Sequence, residues 1–222
     1  MGADDLHAVP AGVDVADATA LLADGRTALA LARDAAFTTR DRVVVTAAGG
    51  GVGSLLVQLA HHAGVASLIG LAGAPRKLDL AMRLGADAAV DYRHQGWVEA
   101  LREATGGHGL DVVLDGVGGD TGSVLVGLMA PGGRHLGYGM ASGSWSTIDE
   151  HAVEVRGLRV IDMITIVRGP QDNHALVEQP LAAAAGGRLR PTIGQTFALA
   201  DAARAHAAIE ARATVGKRLL IP

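Results

Sequence analysis

Short apolar runs alternate with stretches of helical spacing along most of the chain, and their order predicts a repeated strand–helix unit. Val43, Val44, Val45 and Thr46 form a β-branched run that meets a glycine cluster. Leu55, Leu56, Leu59 and Ala60, with Ala63 beyond, then share one helical face. Ser67 to Leu71 predicts a second strand. Pro75 opens a helix carrying Leu78, Ala81, Met82 and Leu84, stopped by Gly85. Third, fourth and fifth strands are predicted over Ala88 to Val90, Leu110 to Leu114 and Arg134 to Tyr138, with helices over Trp97 to Thr105 and Thr121 to Met129 between them. Met140 to Val155 reads as irregular. Leu158 to Val167 predicts a sixth strand, Asp172 to Ala185 a helix, Arg190 to Phe197 an extended segment, Leu199 to Ala211 a helix and Lys217 to Ile221 a last strand. Ahead of all this, the alanine-rich pattern from Asp14 predicts two helices broken around Asp24-Gly25.

The strand runs are continuously apolar rather than alternating, as strands buried on both faces must be. The expected fold is therefore α/β, a Rossmann-type doubly wound parallel sheet.

Composition narrows the picture. The 222 residues are 49% hydrophobic but only 3% aromatic, so Ala, Val and Leu must fill the core, with 31 glycines allowing close packing. A net charge of −4 gives no basic surplus for nucleic acid. No run has a signal-peptide layout or the length to span a bilayer, so the expected location is cytoplasmic, with no membrane partner. Zero cysteines excludes disulfides, thiolate catalysis and every zinc site needing sulfur, and no metal site is expected.

The candidate chemistry sits at the ends of the strands. Ala48, Gly50 and Gly53 give A-x-G-x-x-G between a strand and a helix. Such glycines let the backbone approach a diphosphate, and the helix N-terminus offers free N–H groups to its charge. Taken alone, the motif is equally a tight strand–helix turn. An NAD site would carry an acid about 20 residues past the glycines, for the ribose 2′-hydroxyl. Here that place holds Leu71 and Ala72, followed by Arg76 and Lys77, which match a 2′-phosphate and favour NADP. Tyr92, in Asp91-Tyr92-Arg93, could flank that phosphate or the adenine, or be an ordinary surface aromatic. Glycines recur in Asp115-Gly-Val-Gly-Gly and Gly137-Tyr-Gly, where close approach of a ligand to the backbone is again open. The nine histidines are scattered, and the adjacent His61 and His62 cannot share one helix face. His151 beside Asp149 and Glu150 reads as a solvated loop, and Ser54 lacks the G-x-S-x-G of a nucleophile elbow.

Together, Ala47 to Gly53, Arg76-Lys77, Leu84-Gly85-Ala86-Asp87, Asp91-Tyr92-Arg93 and Asp115-Gly-Val-Gly-Gly resemble the zinc-independent quinone oxidoreductase and enoyl reductase branch of the medium-chain dehydrogenase/reductases. Leu22 to Ala30 and the ending Val215 to Pro222 are similar to the same family, so the likeness spans nearly the whole chain from Val9. The resemblance implies NADPH as hydride donor to a quinone or an activated alkene. It places the diphosphate at Gly50, Gly51, Val52 and Gly53, the 2′-phosphate by Gly73, Lys77 and Tyr92, and the nicotinamide side near Thr27, Val117, Tyr138 and Gly139. Ala28-Leu29 stands where relatives often carry an aromatic of the substrate cleft. Members of the family begin with a catalytic β-rich, GroES-like domain of roughly 110 residues, about one domain length, and this chain starts where that domain would be ending.

The domain reading that follows has residues 1–36 as a helical remnant of the link to that domain, 37–189 as the NADP-binding unit and 190–222 as a second remnant. Phe197, Ile209, Leu219 and Leu220 of the tail then need burial, expected against Asp14 to Ala36. Three functions stay open: a reductase whose cleft is closed by a separate catalytic-domain partner or a second copy, the cofactor-binding part of a larger enzyme, and an NADP(H)-binding protein without redox turnover. Local proton-donor candidates are Tyr138, Ser142 and Lys217. Leu158 to Val167, as an apolar outer strand, is expected to pair with its twin in a homodimer.

Overall fold

The structure is a computed structural model that describes residues 6–163 and 173–222. Strands β1 (Arg42–Val45), β2 (Ser67–Ala72), β3 (Ala88–Asp91), β4 (Leu110–Asp115), β5 (Met129–Gly137) and β6 (Arg159–Asp162) form one sheet in the order β3-β2-β1-β4-β5-β6. Every neighbouring pair is parallel. This is the doubly wound order, with its topological switch between β1 and β4, where such sheets open a crevice at the strands' carboxyl ends.

Alternation within the strands explains why both faces are covered. Val43, Val45, Val112, Leu114, Leu136 and Ile161 pack on one side, with Leu21 and Leu31 of α1 (Val15–Ala35), Leu55 and Leu56 of α2 (Gly51–His62), and Leu176 and Leu181 of α7 (Asn173–Ala185). Val44, Ile69, Leu71 and Val113 pack on the other, with Leu101 of α4 (Trp97–Ala104), Leu125 of α5 (Gly119–Gly127) and Val153 of α6 (Glu150–Arg156). Helix α3 (Pro75–Arg83) joins the first layer through Ala81. Small residues set its distance from the sheet, because a Cβ on Gly70 would lie 2.7 Å from that of Ala81. Ion pairs fasten the far end of the sheet: Arg42 forks onto Asp111 at 2.7 and 2.9 Å, and Arg134 meets Asp41 at 2.5 Å.

The last residues form a separate parallel pair, β7 (Ile193–Ala198) and β8 (Lys217–Ile221), connected through a 3-10 turn (Leu199–Asp201) and α8 (Ala202–Glu210). This pair lies against α1. Of the four tail residues expected to need cover, Leu219 is buried and Phe197 half-buried, while Ile209 and Leu220 stay exposed. Among the described residues no helix is long and apolar enough to cross a membrane.

Several elements differ from the sequence pattern. One helix, α1, runs through Asp24-Gly25 where two were expected. Gly25 is a contact rather than a break: a Cβ there would lie 2.8 Å from Pro180 Cβ, so its absence lets α7 close on α1. Strand β5 starts at Met129 and runs through Pro131-Gly132-Gly133, where a stop was expected, absorbing the irregularity as a register shift between Leu110 and Val112. Helix α6 lies in the stretch expected to be irregular. Asp149 caps it, accepting from the His151 and Ala152 N–H groups at 3.0 and 3.2 Å, and Gly157 at φ 60° ends it. The sixth strand is seen over Arg159–Asp162, and residues 164–167 of the expected run lie outside the described residues.

Candidate functional site

Strand β1 leads through Thr46 into the glycine turn. The left-handed conformation falls on Ala47, at φ 49°, and not on Ala48, which occupies the fingerprint's first glycine position. Ala48 is fully buried and donates its N–H to the Leu71 carbonyl at 3.1 Å, so an alanine is tolerated there. Gly50 is the N-cap of α2 and carries no capping side chain. The N–H groups of Gly51, Val52 and Gly53 therefore open the helix without an intrahelical acceptor. The glycines are needed for contact. A Cβ on Gly53 would lie 2.2 Å from the Ala47 carbonyl oxygen, and one on Gly49 would lie 2.5 Å from Lys77 Cβ. Lys77 thus lies over the turn. A Cβ on Gly51 would lie 2.0 Å from Asp24 Oδ2, so a carboxylate stands beside the helix N-terminus, its other oxygen 2.8 Å from Lys217 Nζ.

The turn after β4 is built differently. Asp115 is buried and its Oδ1 accepts from the Val117 and Gly118 N–H groups at 3.0 and 3.1 Å and from Thr46 Oγ1 at 2.8 Å. Its Oδ2 accepts from Ser146 Oγ at 2.6 Å, with His135 Nε2 at 3.7 Å. Burial favours the neutral carboxyl, but His135, Ser146, the Gly118 N–H and Thr46 outweigh it and hold the pKa well below the usual carboxylate range. Thr46 Oγ1 also accepts from the Gly116 and Val117 N–H groups at 2.8 and 3.1 Å.

A cleft of about 210 Å³ opens between these turns. Gly50, Gly51, Gly73, Lys77, Tyr92 and Val117 line it, so the fold brings these six sequence candidates together. Val52 and Gly53 lie in the first turn of α2 and do not line it; Arg76 is exposed at the start of α3. Thr27 donates to the Ala23 carbonyl at 2.9 Å within α1. The Tyr138 hydroxyl donates to the Thr46 carbonyl at 2.8 Å, and burial followed by the Asp115 charge raises its pKa. Gly139 packs on Gly116, where a Cβ would lie 2.8 Å from the carbonyl oxygen. Ser142 is exposed, with its hydroxyl on the Ser144 carbonyl at 3.1 Å.

The pattern alone did not reveal the tail's share. Ile209, Arg212, Thr214, Gly216 and Arg218 also line the cleft. Gly216, at φ 62°, donates to the Gly49 carbonyl at 2.7 Å and bridges Gly50, pinning the β8 end to the glycine turn. Lys77 Nζ donates to the Arg212 carbonyl at 3.0 Å. Burial lowers the Lys77 pKa, and the charges of Arg218, Arg212, Arg93 and Arg76 lower it further; of these, Lys77, Arg212 and Arg218 line the cleft, while Arg93 is paired with Asp91 at 3.0 Å. No carboxylate is among the residues lining the cleft. The only sequence signal for this was the basic ending itself, whose destination no local pattern shows.

Residues 84–220 match the family model described as zinc-binding dehydrogenase. The chain belongs to this family. A quinone oxidoreductase of Pseudomonas aeruginosa is 33% identical to it, over 96% of this chain and 67% of that protein. A 2-haloacrylate reductase of a Burkholderia species is also 33% identical, over 99% of this chain and 68% of that protein. In structure, this zinc-binding dehydrogenase family member resembles Escherichia coli quinone oxidoreductase complexed with NADPH, with a TM-score of 0.87 and 30% identity over 99% of this chain and 69% of that one. The chain thus spans about two thirds of the relatives it matches, as the C-terminal part of the medium-chain dehydrogenase/reductase family. Among the described residues no group of three or more His, Asp or Glu side chains is placed to hold a metal.

Proposed function

We propose that this chain is the NADP(H)-binding part of a zinc-independent, NADPH-dependent reductase of quinones or activated alkenes, acting in the cytoplasm as a homodimer. The observation that carries this is the meeting of three cations, Lys77, Arg212 and Arg218, in a cleft with no carboxylate in its lining, beside an uncapped helix N-terminus. The residues fit the cofactor by charge. The open N–H groups of Gly51, Val52 and Gly53, with Gly50, suit the diphosphate. Lys77, Tyr92 and Gly73, joined by Arg212 and Arg218, suit the 2′-phosphate, with Arg76 at the rim. At about 210 Å³ the cleft lies below the roughly 300–1,000 Å³ of pockets that enclose a whole ligand, so it houses the phosphate-bearing part. Val117 then leads toward the nicotinamide side, the role that the family resemblance also gives Tyr138, Gly139 and Thr27, none of which lines the cleft.

When bound, NADPH supplies a hydride. This chain's residues bind and orient it. Tyr138 holds the Thr46 carbonyl, and Lys217 neutralises Asp24 beside the helix N-terminus. Because Tyr138, Ser142 and Lys217 are each engaged elsewhere, a second function is supported beside the first: NADP(H) binding without turnover by this chain alone. The exposed Leu199, Ile209, Leu220 and Ile221 of the tail offer a surface to a catalytic-domain partner. The homodimer is supported by β6, an edge strand with Val160 exposed.

Titration with NADPH and NADH tests the cofactor. Lys77→Ala is expected to weaken NADPH at least tenfold, about 1.4 kcal/mol, while changing NADH less. Consumption of NADPH with 1,4-naphthoquinone then separates the two functions: binding without turnover removes the reductase, and no binding removes both. Light scattering tests the dimer, and a monomer at micromolar concentration counts against it.

A further inference from the structure

A second cavity, of about 360 Å³, opens on the other side of the β4 turn and shares no lining residue with the first cleft. Its walls are Trp145, Ile148, Val160, Ile161 and Met163, with Gly137 leaving room at its floor. A Cβ on Gly137 would meet only His135 Cε1 at 3.7 Å and Trp145 at 3.9 Å. His135, Ser146 and Asp162 are the polar residues of this mainly apolar lining. Of these, His135 is the one with unpaired buried atoms. It is 3% exposed, lines the cavity, and neither ring nitrogen has a hydrogen-bond partner. Nearly all buried polar groups are paired, and leaving one unpaired costs the desolvation of that group. Asp115 Oδ2, 3.7 Å from Nε2, is near enough for the imidazole to help hold the carboxylate's pKa down but beyond hydrogen-bond length, and both carboxylate oxygens already accept shorter bonds.

The cluster is not a second catalytic centre. A nucleophilic serine needs the histidine between it and the carboxylate. Here the carboxylate lies between them, with the Ser146 hydroxyl donating to Asp115 at 2.6 Å. What remains is recognition: a mainly apolar pocket of ligand-enclosing size with a few polar groups, His135, Ser146 and Asp162, in its lining. The Asp115 carboxylate, 3.7 Å from His135 Nε2, disfavours an anion beside that imidazole. The volume suits two fused rings.

We propose that this cavity binds a neutral, flat, two-ring aromatic molecule whose single hydroxyl or carbonyl group pairs with His135, at a site separate from the cofactor cleft. No covalent step is involved, and the site stands whether or not the chain binds NADPH.

Isothermal titration of the full chain with 2-naphthol at pH 7 tests this. Saturable one-to-one binding is expected, unchanged by excess NADPH. His135→Leu should weaken it at least tenfold, while His135→Gln, which keeps a hydrogen-bonding group, should stay within a few-fold of the native chain. Absence of saturable heat, meaning that only water occupies the cavity, would overturn the proposal. So would equal binding by His135→Leu, or competition by NADPH, which would put the probe in the first cleft. Should His135→Leu fail to fold, Trp145→Ala on the cavity wall decides: binding must fall there too, and unchanged binding overturns the site.

Discussion

The turns after β1 and β4 leave neighbouring parallel strands at the same edge of the sheet, and both lead through glycines into a helix. In the first, the donors of Gly51, Val52 and Gly53 have no acceptor from a helix carbonyl or a capping side chain, and the shape is held by backbone contact. In the second, the donors of Gly116, Val117 and Gly118 are all engaged by Thr46 and Asp115, and Gly119 donates to the Ser144 carbonyl at 2.9 Å. A glycine-rich sequence therefore does not by itself make an anion site. What matters is whether a buried acceptor has already taken the N–H groups. In this chain Asp115 is that acceptor, and it turns the second loop into a rigid wall of the cleft opened by the first.

Exchanging a glycine in each turn should break the symmetry most. At Gly53 an added Cβ meets the Ala47 carbonyl oxygen at 2.2 Å, and neither backbone can yield without moving the turn. Gly53→Ala is expected to lower NADPH affinity at least a hundredfold and to destabilise the chain by about 2–3 kcal/mol. At Gly119 the nearest atom is the Ser142 hydroxyl, the end of an exposed side chain, so Gly119→Ala carries mainly the left-handed penalty of about 1–2 kcal/mol. Calorimetric titration and thermal melting measure both. Equal losses of affinity in the two variants would mean that both turns bear on the ligand alike.

Asp115→Asn tests the second turn directly. The amide keeps the shape but cannot accept from every donor now aimed at the carboxylate, and an expected loss of about 1–3 kcal/mol follows. The pH dependence has a definite sign. An unfolded aspartate titrates near pH 3.9, about where a free carboxyl does, and in the folded chain Asp115 titrates lower. Its stabilisation is thus present above about pH 4 and is lost as the pH falls through the folded value. Acid unfolding curves of Asp115→Asn should be flatter below about pH 4 than those of the native chain. Superimposable curves would show that the carboxylate is not the acid-sensitive group of the wall.

Legibility divides along the same line. The strands and the glycine turn were readable because β-branched runs and a glycine cluster are local signals, and the missing acid with Arg76-Lys77 pointed to a phosphorylated nucleotide. Three things had no local signal. Gly25 reads as a helix stop, and only Pro180, far along the chain, shows it to be a contact. Pro131-Gly132-Gly133 reads as a break, yet pairing with β4 absorbs it as an irregular strand start. Arg212 and Arg218 reach the cleft because β8 pairs with β7 and Gly216 docks on Gly49, both long-range pairings. Asp149 three residues before Ala152, with Gly157 behind, was a legible cap signal for α6 that the polar surroundings masked.

The smallest expected effect lies where the two turns meet the tail. Lys217 pairs with Asp24 at 2.8 Å, and the lysine side chain keeps 30% of its exposure, so solvent screens the pair and its contribution to folding is about 1 kcal/mol or less. Its effect on ligand should exceed its effect on stability. Asp24 Oδ2 stands beside Gly51, at the helix N-terminus that also suits a diphosphate, and without Lys217 its negative charge there is uncompensated. Lys217→Ala should therefore melt within about 1 kcal/mol of the native chain while losing several-fold in NADPH affinity, the loss shrinking as salt rises. Asp24→Asn in the same background should restore binding, because it removes the charge that the lysine no longer offsets. If the double variant binds no better than Lys217→Ala alone, repulsion by Asp24 is not the cause. The lysine then acts on the ligand directly, and the first turn is less open to anions than its unpaired N–H groups imply.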